Sequence, residues 1–355
     1  MKIVMVAGGT GGHIYPALHL ADSLKDKNEI TFFGSDKRLE NELIPAAGYN
    51  FIALETIAFS GSLMRRINSL LLMRDSYHIA KSELKKFNAD VVIGFGNYIS
   101  VPVVLAAKSL NIKTLIHEQN CKIGAANRYL AKKADFCVCC YKESLEKLPK
   151  AKSLCLGNPR SSMFKDVKRN RSILKEYGLD PSIATVVIFM GSLGSISINE
   201  FMLQALKEIR KEDFQVIYIT GKEYYQEFIT KFNETDNVKI KDYANMVELL
   251  PNIDLLVARA GATTIAEITA LGLPTIFIPS PYVPNNHQYF NAKNLVDYKA
   301  AMLINEEDLD IDKFNDILKT TISDKEKLSE MASKTKEFAN VNCCEDIIKL
   351  IEKVV

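Results

Sequence analysis

The segment Gly8–His13 has the composition of a loop that binds an oxyanion. It reads Gly-Gly-Thr-Gly-Gly-His and lies between the apolar run Lys2–Ala7 and a helical pattern that opens near Ile14. Glycines let backbone N–H groups converge where side chains would block approach, and a helix N-terminus adds unpaired N–H groups and the positive end of its dipole. We therefore predict that a phosphate or another oxyanion binds here, with the imidazole of His13 beside it.

The spacing of these glycines excludes two common nucleotide-binding loops. A dinucleotide fingerprint needs Gly-x-Gly-x-x-Gly, and counting from Gly9 places Ile14 where the third glycine belongs. A Walker loop needs a lysine after its last glycine, whereas Gly12 is followed by His13. Asp36 stands where a ribose-binding acid of a dehydrogenase would lie, so that class stays open as an alternative, together with a plain strand–helix turn.

Apolar runs alternate with helical patterns along the whole chain, which predicts parallel sheets covered by helices on both faces. The predicted strands of the first half are Ile3–Ala7, Ile30–Gly34, Asn50–Leu54, Val91–Gly94, Thr114–His117, Phe136–Cys140 and Ser153–Leu156. Those of the second half are Thr185–Met190, Gln215–Thr220, Val238–Lys241, Leu255–Ala258 and Thr275–Ile278. Helices are expected at Ile14–Lys25, Asp75–Phe87, Ile198–Arg210 and from Lys325 to Val355.

The alternation of apolar runs and helical patterns is interrupted near Gly157–Arg160. It then resumes, and a second glycine loop follows at Gly191–Ser195. This repetition predicts an α/β protein of two Rossmann-like domains with parallel sheets facing across a cleft. We expect an N-terminal domain of residues 1–160, joined by a C-terminal helix at 337–355, and a C-terminal domain of residues 161–336. Ligands of open α/β sheets bind beyond the carboxyl ends of the strands, so the cleft is the expected site.

Composition narrows the class of protein further. The 355 residues are 47% apolar, and a net charge of +2 argues against a nucleic-acid binder driven by bulk electrostatics. Seven cysteines, an odd number, and the absence of a secretory leader fit a reducing cytoplasmic compartment. The run Cys137–Cys140 lacks a Cys-x-x-Cys pair, so we interpret it as small apolar side chains in a strand rather than a metal site. No apolar run is long enough to span a bilayer.

Further motifs follow Gly8–Leu18 in an order that matches one family along the whole chain. They are Gly94–Tyr98, His117–Asn120, Gly157–Arg160, Gly191–Gly194, Arg259–Glu267 and His287–Ala292. In these motifs the chain resembles the MurG family of peptidoglycan glycosyltransferases. That family adds N-acetylglucosamine to undecaprenyl-diphospho-N-acetylmuramoyl-pentapeptide (lipid I). The resemblance extends more loosely to other two-domain GT-B glycosyltransferases.

The resemblance implies an inverting transferase that moves N-acetylglucosamine from UDP to the 4-hydroxyl of the muramoyl sugar of lipid I, giving lipid II for the cell wall. It makes His13 the candidate base, because an imidazole titrates near working pH; a positioning hydrogen bond is the alternative role. No Asp-x-Asp pair appears at a strand end, so we expect no metal and no cofactor. The glycine loops and helix N-termini would then stabilise the diphosphate charge.

The same resemblance assigns contacts to the donor and to the acceptor diphosphate. The residues concerned are Thr10, Gly11, Gly12, Asn120, Arg160, Ser192, Tyr243, Ala262, Thr263, Thr264, Ile265, Ala266, Glu267 and Gln288. Glu267 is suited to a ribose diol, since a carboxylate accepts two hydroxyl hydrogen bonds. Gln288 is expected at sugar hydroxyls, and Tyr243 at the uracil through its backbone. A helix-face charge at Glu267, a surface amide at Gln288 and a strand cap around Asn120 remain the alternatives.

The segment Leu63–Arg74 has the character of a helix that lies at a membrane interface. Leu63, Met64, Ile67, Leu70 and Leu71 share a helical face, with Arg65, Arg66 and Arg74 nearby. An acceptor with a polyprenyl tail requires contact with a bilayer. We therefore expect peripheral binding to the cytoplasmic face of the bacterial cell membrane. A helix that faces the core is the alternative.

Three other functions fit part of the pattern. A diacylglycerol glycosyltransferase shares the fold and a lipid acceptor. A UDP-N-acetylglucosamine 2-epimerase shares the architecture but needs further acids that we do not find. A non-catalytic nucleotide-sugar-binding regulator is suggested by Leu193 and Ala260, which stand where the family commonly has Gln and Ser.

Overall fold

A computed structural model describes residues 1–56, 62–191 and 194–355, except the side chains of Leu63 and Arg65. The chain divides into two compact units. The first contains Met1–Ser162 together with Asn340–Val355, and the second contains Met163–Ala339. Each unit is a parallel sheet covered by helices, as the alternating pattern predicts. The expected donor contact Ser192 and its neighbour Leu193 lie outside the described residues.

The first unit contains seven parallel strands in the order β3-β2-β1-β4-β5-β6-β7. Its elements are β1 (Lys2–Val6), α1 (Gly11–Leu24), β2 (Glu29–Ser35), α2 (Glu40–Ala46), β3 (Asn50–Leu54), α3 (Leu63–Phe87), β4 (Val91–Gly94), α4 (Ser100–Ser109), β5 (Lys113–Glu118), α5 (Ala125–Leu130), β6 (Phe136–Cys139), α6 (Lys142–Leu145) and β7 (Ser153–Cys155).

The second unit contains six parallel strands in the order β10-β9-β8-β11-β12-β13. Its elements are β8 (Thr185–Phe189), α7 (Ile196–Ile209), β9 (Gln215–Ile219), α8 (Tyr225–Lys231), β10 (Val238–Lys241), α9 (Met246–Leu249), β11 (Leu255–Ala258), α10 (Ala262–Leu271), β12 (Thr275–Phe277), α11 (His287–Asp297), β13 (Met302–Leu303), α12 (Ile311–Ser323) and α13 (Lys325–Lys336). The chain then returns to the first unit with α14 (Cys343–Val354).

Alternation along the strands divides the first core between the two faces of its sheet. Ile3 and Met5 of β1 pack in one cluster, and Val4 and Val6 pack in the other. The Ile3 face is covered by α1 and by the buried face of α14, to which Cys343, Ile347 and Ile351 belong. Sheets buried on both faces need apolar side chains at successive positions, which is why the strands read as unbroken apolar runs.

The predicted strands are confirmed, but two helix predictions from the sequence are wrong in their boundaries. Helix α1 begins at Gly11 rather than near Ile14. The two predicted helical segments Leu63–Arg74 and Asp75–Phe87 form one continuous helix, α3. The expected single helix from Lys325 to Val355 is two helices, α13 and α14. Between them Asn340 donates from Nδ2 to the Leu156 carbonyl at 2.8 Å and accepts from the Asn342 N–H at 3.0 Å. Such side-chain bonds offer the backbone an alternative to helix.

The cysteine-rich strand β6 lies within the first core. Cys137 and Cys139 are fully buried, in agreement with their interpretation as small apolar side chains. Within residues 1–56, 62–191 and 194–355, no three His, Cys, Asp or Glu side chains come together as a metal site would require.

The partly buried carboxylate of Asp254 ties the start of the second unit to its sheet. Asp254 accepts hydrogen bonds from Arg171 Nη1 at 2.7 Å, Arg169 Nη2 at 2.6 Å and the Thr185 N–H at 2.8 Å. Burial by itself would raise the pKa of Asp254, but these hydrogen bonds, led by that from Arg171, outweigh it and hold the pKa below its ordinary value. Such a carboxylate stabilises the fold above the unfolded pKa of about 4 and ceases to do so as pH falls through the native pKa.

We expect Asp254→Asn to lower the free energy of unfolding by about 2 kcal/mol at pH 7, because charge-assisted hydrogen bonds of this kind contribute about 1.5–3 kcal/mol. The difference from wild type should shrink as pH falls below about 4. Urea unfolding of both proteins at pH 7 and at a pH below about 4 measures this difference in the free energy of unfolding. The matched control is Asp297→Asn, whose exposed pair with Lys293 should contribute less than about 1 kcal/mol. Equal losses from the two variants at pH 7 would contradict the prediction.

Candidate functional site

In the first unit the strand order reverses between β1 and β4, and a loop leaves the sheet after each of them. Open α/β sheets bind ligands at such a point. Asn97 Nδ2 donates to the carbonyl of Gly8 at 2.9 Å and so joins the two loops. A side chain at Gly9, which has a φ of +89°, would collide with Asn97. We call residues 8–13 and 95–97 the first glycine site.

Glu40 fixes the backbone of this site from inside the unit. Glu40 is the first residue of α2 and is only 1% exposed. Oε2 accepts from the Gly9 N–H at 3.0 Å, and Oε1 accepts from the N–H and hydroxyl of Ser35 at 3.1 and 2.6 Å. A Cβ at Gly8 would collide with this carboxylate. Part of the glycine pattern therefore serves a buried structural contact rather than a ligand.

The N-terminus of α1 presents donors to the outside of this site. Thr10 is the N-cap residue, and its carbonyl accepts from the N–H groups of His13 and Ile14 at 3.0 and 3.2 Å. Among the described residues no hydrogen bond uses the N–H groups of Gly11 and Gly12. Two such donors at the positive end of a helix dipole are suited to an oxyanion. Contacts of Thr10, Gly11 and Gly12 with a substrate stay a prediction.

The imidazole of His13 is held at the edge of the same site. Its Nδ1 lies 3.1 Å from Thr10 Oγ1. The other side of the ring packs against Gly96, where an added Cβ would lie 3.2 Å from Cδ2 and 3.3 Å from Nε2. Thr10 thus orients the ring through Nδ1. Because Gly96 has no side chain, the ring has room to lie against the backbone of residue 96. The role of His13 as a base stays a prediction.

A second histidine lies behind this ring and is structural. His117 is fully buried, and its Nε2 pairs with the Gly157 carbonyl at 2.9 Å while Gln119 Nε2 donates to its Nδ1 at 3.0 Å. This pairing places the proton on Nε2 and keeps the ring neutral. Burial lowers the pKa of His117 to about 4, the Gly157 bond opposes that shift, and the nearby His13 adds to it. Neutral His117 therefore fixes the start of the segment that contains Arg160.

The Asn120 segment is built around the buried carboxylate of Glu118. That carboxylate accepts from the Asn120 N–H, the Gly124 N–H and Asn127 Nδ2, each at 3.0 Å. Asn120 Nδ2 lies 3.4 Å from Glu118 Oε1. The structure therefore contains the strand cap around Asn120 that the sequence analysis gave as an alternative to a sugar contact. A sugar contact by Asn120 remains a separate prediction.

Arg160 lies on the exposed side of α1. Its guanidinium is 5.6 Å from the ring centre of Tyr15, and its N–H donates to Asn158 Oδ1 at 3.0 Å. Burial and, to a lesser degree, the Arg160 charge lower the pKa of the neighbouring His19 to about 4. The structure thus brings Arg160 to the helix that opens with Gly11, and its phosphate or base contact stays a prediction.

The second unit repeats the arrangement, because its strand order reverses between β8 and β11. We call the described residues of the loops after these strands, with the first two turns of α10, the second glycine site (191, 194–195 and 259–267). Arg259 Nη2 donates to Ser195 Oγ at 3.0 Å and joins the two loops, while Nη1 donates to the Ile278 carbonyl at 3.0 Å. Its counter-charge is Glu306 at 2.6 Å, with both side chains only 10% exposed.

Helix α10 begins in this site and contains most of the predicted donor contacts. Gly261 is its N-cap residue, and the helix includes Ala262, Thr263, Thr264, Ile265, Ala266 and Glu267. The Oγ1 of Thr263 is buried and has no hydrogen-bond partner among residues 1–56, 62–191 and 194–355, an uncommon state for a polar atom. Glu267 is 6% exposed, so the alternative of an ordinary solvated charge on a helix face is wrong. The first turn of α10 therefore combines a buried hydroxyl with the backbone donors of a helix N-terminus.

The two remaining predicted residues lie on neighbouring loops of the second unit. Gln288, in the first turn of α11, accepts from the Ser280 N–H through Oε1 at 2.9 Å. Tyr243 is 61% exposed after β10, and its own N–H donates to Asp242 Oδ1 at 2.8 Å. A backbone contact of Tyr243 with a base would therefore use its carbonyl. Both assignments stay predictions.

The sequence-based analysis missed the residues that hold these sites in shape. Glu40 and Asn97 join the parts of the first glycine site, and Arg259 with Glu306 joins those of the second. Asn97 and Arg259 lie within the motifs Gly94–Tyr98 and Arg259–Glu267, and Arg259 is a charged residue that directly follows the apolar strand β11, but neither signal indicated a structural role. Their partners are far away in sequence and could not be read from it.

The comparisons with known proteins agree with this geometry. The family model described as the glycosyltransferase family 28 N-terminal domain matches residues 3–138, and that of the family 28 C-terminal domain matches residues 185–347. Two parallel α/β units, each with a glycine site at its strand reversal, are typical of two-domain nucleotide-sugar glycosyltransferases. The chain belongs to glycosyltransferase family 28.

Individual relatives cover the whole chain. A protein of Bacillus pumilus named UDP-N-acetylglucosamine–N-acetylmuramyl-(pentapeptide) pyrophosphoryl-undecaprenol N-acetylglucosamine transferase is 37% identical, over 100% of this chain and 99% of the relative. The same name belongs to a protein of Halalkalibacterium halodurans that is 38% identical over the same shares.

Solved structures agree with this family. The crystal structure of Acinetobacter baumannii MurG is 26% identical with a TM-score of 0.81 and covers 99% of each chain. The UDP-GlcNAc 2-epimerase of Neisseria meningitidis, with a TM-score of 0.70 over 99% of this chain and 100% of that one, is only 13% identical and shares the fold alone.

Proposed function

We infer that this chain is an inverting glycosyltransferase that moves N-acetylglucosamine from UDP-N-acetylglucosamine to the 4-hydroxyl of the muramoyl sugar of lipid I, giving lipid II for peptidoglycan synthesis. One observation carries the proposal. The imidazole of His13 is oriented by Thr10 and lies beside the N–H groups of Gly11 and Gly12 at the N-terminus of α1. No hydrogen bond among the described residues uses these two N–H groups. The full-length relatives named for this reaction supply the choice of substrates.

The donor UDP is assigned to the second glycine site. The unpartnered hydroxyl of Thr263 and the N-terminus of α10 support a diphosphate there, because both supply donors at the positive end of a helix. Glu267, buried one turn further on, is suited to the ribose diol. The acceptor diphosphate is assigned to the first glycine site, where Gly11 and Gly12 present their N–H groups.

His13 then acts as the general base. It takes the proton of the acceptor 4-hydroxyl while that oxygen bonds to the anomeric carbon of the donor sugar. The bond between this carbon and the β-phosphate oxygen breaks, and its electron pair leaves with UDP. One displacement from the opposite face inverts the configuration. Helix N-termini stabilise the departing diphosphate, with no metal or cofactor needed in this proposal.

The proposal is tested by incubating the purified chain with radiolabelled UDP-N-acetylglucosamine and a short-chain analogue of lipid I. We expect label in the disaccharide lipid, joined through a β-glycosidic bond. Diacylglycerol in place of the analogue is the control acceptor. Label entering diacylglycerol, or donor binding without transfer to either acceptor, would overturn the assignment and favour one of the alternatives.

We expect Gly96→Ala to lower kcat about tenfold. The residue has a φ of +90°, which favours glycine, and its new Cβ would press on the His13 ring. Initial rates at saturating donor measure the effect. The matched control is Gly48→Ala, which has a similar φ of +85° but nothing within 4 Å of the added Cβ. If both variants lose the same activity, backbone strain rather than the His13 contact is responsible.

The start of α3 supports contact with a membrane surface. Met64 is 76% exposed, and Ile67, Leu70 and Leu71 are also exposed, whereas Ser69 and Ser76 are buried on the opposite side. The helix therefore turns its apolar face outward, and the alternative of a core-facing helix is wrong for these residues. Among the described helices none is both long and apolar enough to cross a membrane. We propose peripheral binding through this exposed face at the cytoplasmic side of the cell membrane.

Replacing Arg65 and Arg66 together by glutamine should lower binding to anionic vesicles about 30-fold, since each basic residue near such a surface contributes about 1 kcal/mol. Flotation with phosphatidylglycerol vesicles measures the bound fraction. The matched control neutralises Lys85 and Lys86, which lie in the last turn of the same helix, and should change little. Equal losses from both pairs would show that binding follows net charge rather than this face.

A further inference from the structure

The last two strands of the first sheet place two cysteines side by side. β7 is an edge strand and pairs in parallel with β6, with Cys139 opposite Cys155. Two residues earlier in the same register, Cys137 lies opposite Ser153. Because side chains alternate along a strand, Cys139 and Cys155 project from the same face. Neighbouring strands lie about 4.8 Å apart, within the Cα separation of about 4.4–6.8 Å that a disulfide bridges.

The two thiols lie opposite each other and differ in exposure. Cys139 Sγ lies 3.6 Å from the carbonyl oxygen of Leu154 on the neighbouring strand, and Cys139 is buried whereas Cys155 is exposed. The proximity of the two thiols lowers the pKa of the Cys155 thiol against the effect of burial, and it raises the pKa of the Cys139 thiol. Cys155 is therefore the thiol that meets solvent more readily as a thiolate.

We propose that Cys139 and Cys155 form a thiol–disulfide exchange site that takes low-molecular-weight disulfides, with Cys155 as the attacking and Cys139 as the resolving thiol. A thiolate with a lowered pKa and solvent access is the usual attacking group. The buried partner lies opposite it in the register. This proposal does not depend on the transferase reaction.

The exchange balances with the small disulfide as oxidant. The Cys155 thiolate attacks one sulfur, a mixed disulfide forms, and the first small thiolate leaves. The Cys139 sulfur then attacks the Cys155 sulfur, the Cys139–Cys155 bond forms, and the second small thiolate leaves. The two cysteine protons end on the two released thiols, so the oxidant is reduced to two thiols.

Cys140 is the competing resolving thiol. It follows Cys139 directly, and its thiol is close enough for its charge to act on the Cys139 thiol. Burial raises the pKa of the Cys140 thiol, and the nearby Cys155 adds to this effect. Cys140 follows the last residue of β6 and has no register partner in β7. The register therefore favours Cys139 over its neighbour.

The test is a disulfide map of the full-length chain. Reduced protein is incubated with oxidised glutathione, quenched in acid, alkylated and digested with trypsin without reductant. We expect a linked pair of the tryptic peptides 134–142 and 153–160, assigned to Cys139 and Cys155 by fragmentation and removed by dithiothreitol. The proposal is overturned if Cys155 stays alkylated as a free thiol or is linked to Cys140.

Two variants of adjacent cysteines form a matched pair for this test. In Cys139→Ser, Cys155 should stop at the mixed disulfide with glutathione, because the resolving thiol is gone. In Cys140→Ser, the link should form as in wild type. A link that survives the first substitution or is lost in the second contradicts the assignment. The wild-type map decides the question by itself if Cys139→Ser does not fold.

Discussion

His13→Ala should reduce kcat by about 10²–10⁴-fold and leave the KM for the donor nearly unchanged, because general-base catalysis contributes this much to rate. The side chain lies at the first glycine site, and the donor contacts are assigned to the second. Rates with UDP-N-acetylglucosamine and the lipid I analogue measure both constants. The exposed His78 on α3 provides the matched control, and His78→Ala should behave as wild type.

A second variant at the same position separates the two roles of the imidazole. Gln at residue 13 keeps a hydrogen-bonding side chain but cannot take a proton in this pH range. If His13 is the base, His13→Gln should be as slow as His13→Ala within a few-fold. Recovery of most of the wild-type kcat in His13→Gln would assign a positioning role and leave the rest of the proposed function in place.

Glu267→Ala should lower kcat/KM for UDP-N-acetylglucosamine by about 10²–10⁴-fold, since each hydrogen bond to a charged group contributes about 1.5–3 kcal/mol and a ribose diol makes two. The carboxylate is buried within the second turn of α10, one helical turn after Thr263, whose hydroxyl has no partner within the described part of the chain. Steady-state kinetics and calorimetric binding of UDP measure the loss. The control is Glu208→Ala, an exposed acid on α7.

The binding measurement distinguishes a donor contact from a structural role. A ribose contact predicts weaker UDP binding with an unchanged melting temperature. If Glu267→Ala lowers the melting temperature by several degrees and UDP binding is normal in the fraction that remains folded, the carboxylate stabilises α10 instead. The assignment of the uridine to the second unit would then need another residue.

The strands were predictable because parallel sheets buried on both faces need continuous apolar runs, as in Ile3–Val6 and Val91–Gly94. The first glycine site was predictable in composition but not in geometry. Helix α1 begins three residues before Ile14 because Gly11, Gly12 and His13 form its first turn, and glycine carries little helical signal. For the start of α3, the sequence left two alternatives open, a helix at a membrane interface and a helix that faces the core. Periodicity shows that one face of a helix is apolar but not what covers that face.

Contacts between distant residues formed the larger gap. Glu40 and Gly9 are 31 positions apart, and Ser195 and Arg259 are 64 apart. Nothing in a linear pattern joins such pairs, although they determine where the loops lie. Tyr243 shows the same limit at short range, because its N–H is already bonded to Asp242 and only the structure reveals which of its backbone groups is available.

The return of the chain to its first unit has a consequence for biosynthesis. Residues 163–339 are continuous and carry a complete sheet, so the ribosome releases everything that this unit needs in one stretch. The first unit cannot complete its core before α14 has been synthesised, because Ile347 and Ile351 of that helix belong to the core beneath β1. The half that is synthesised first is therefore completed last, and the part of its Ile3 face that α14 covers stays exposed until that helix has been synthesised. During that interval the nascent chain exposes the apolar surface that chaperones bind.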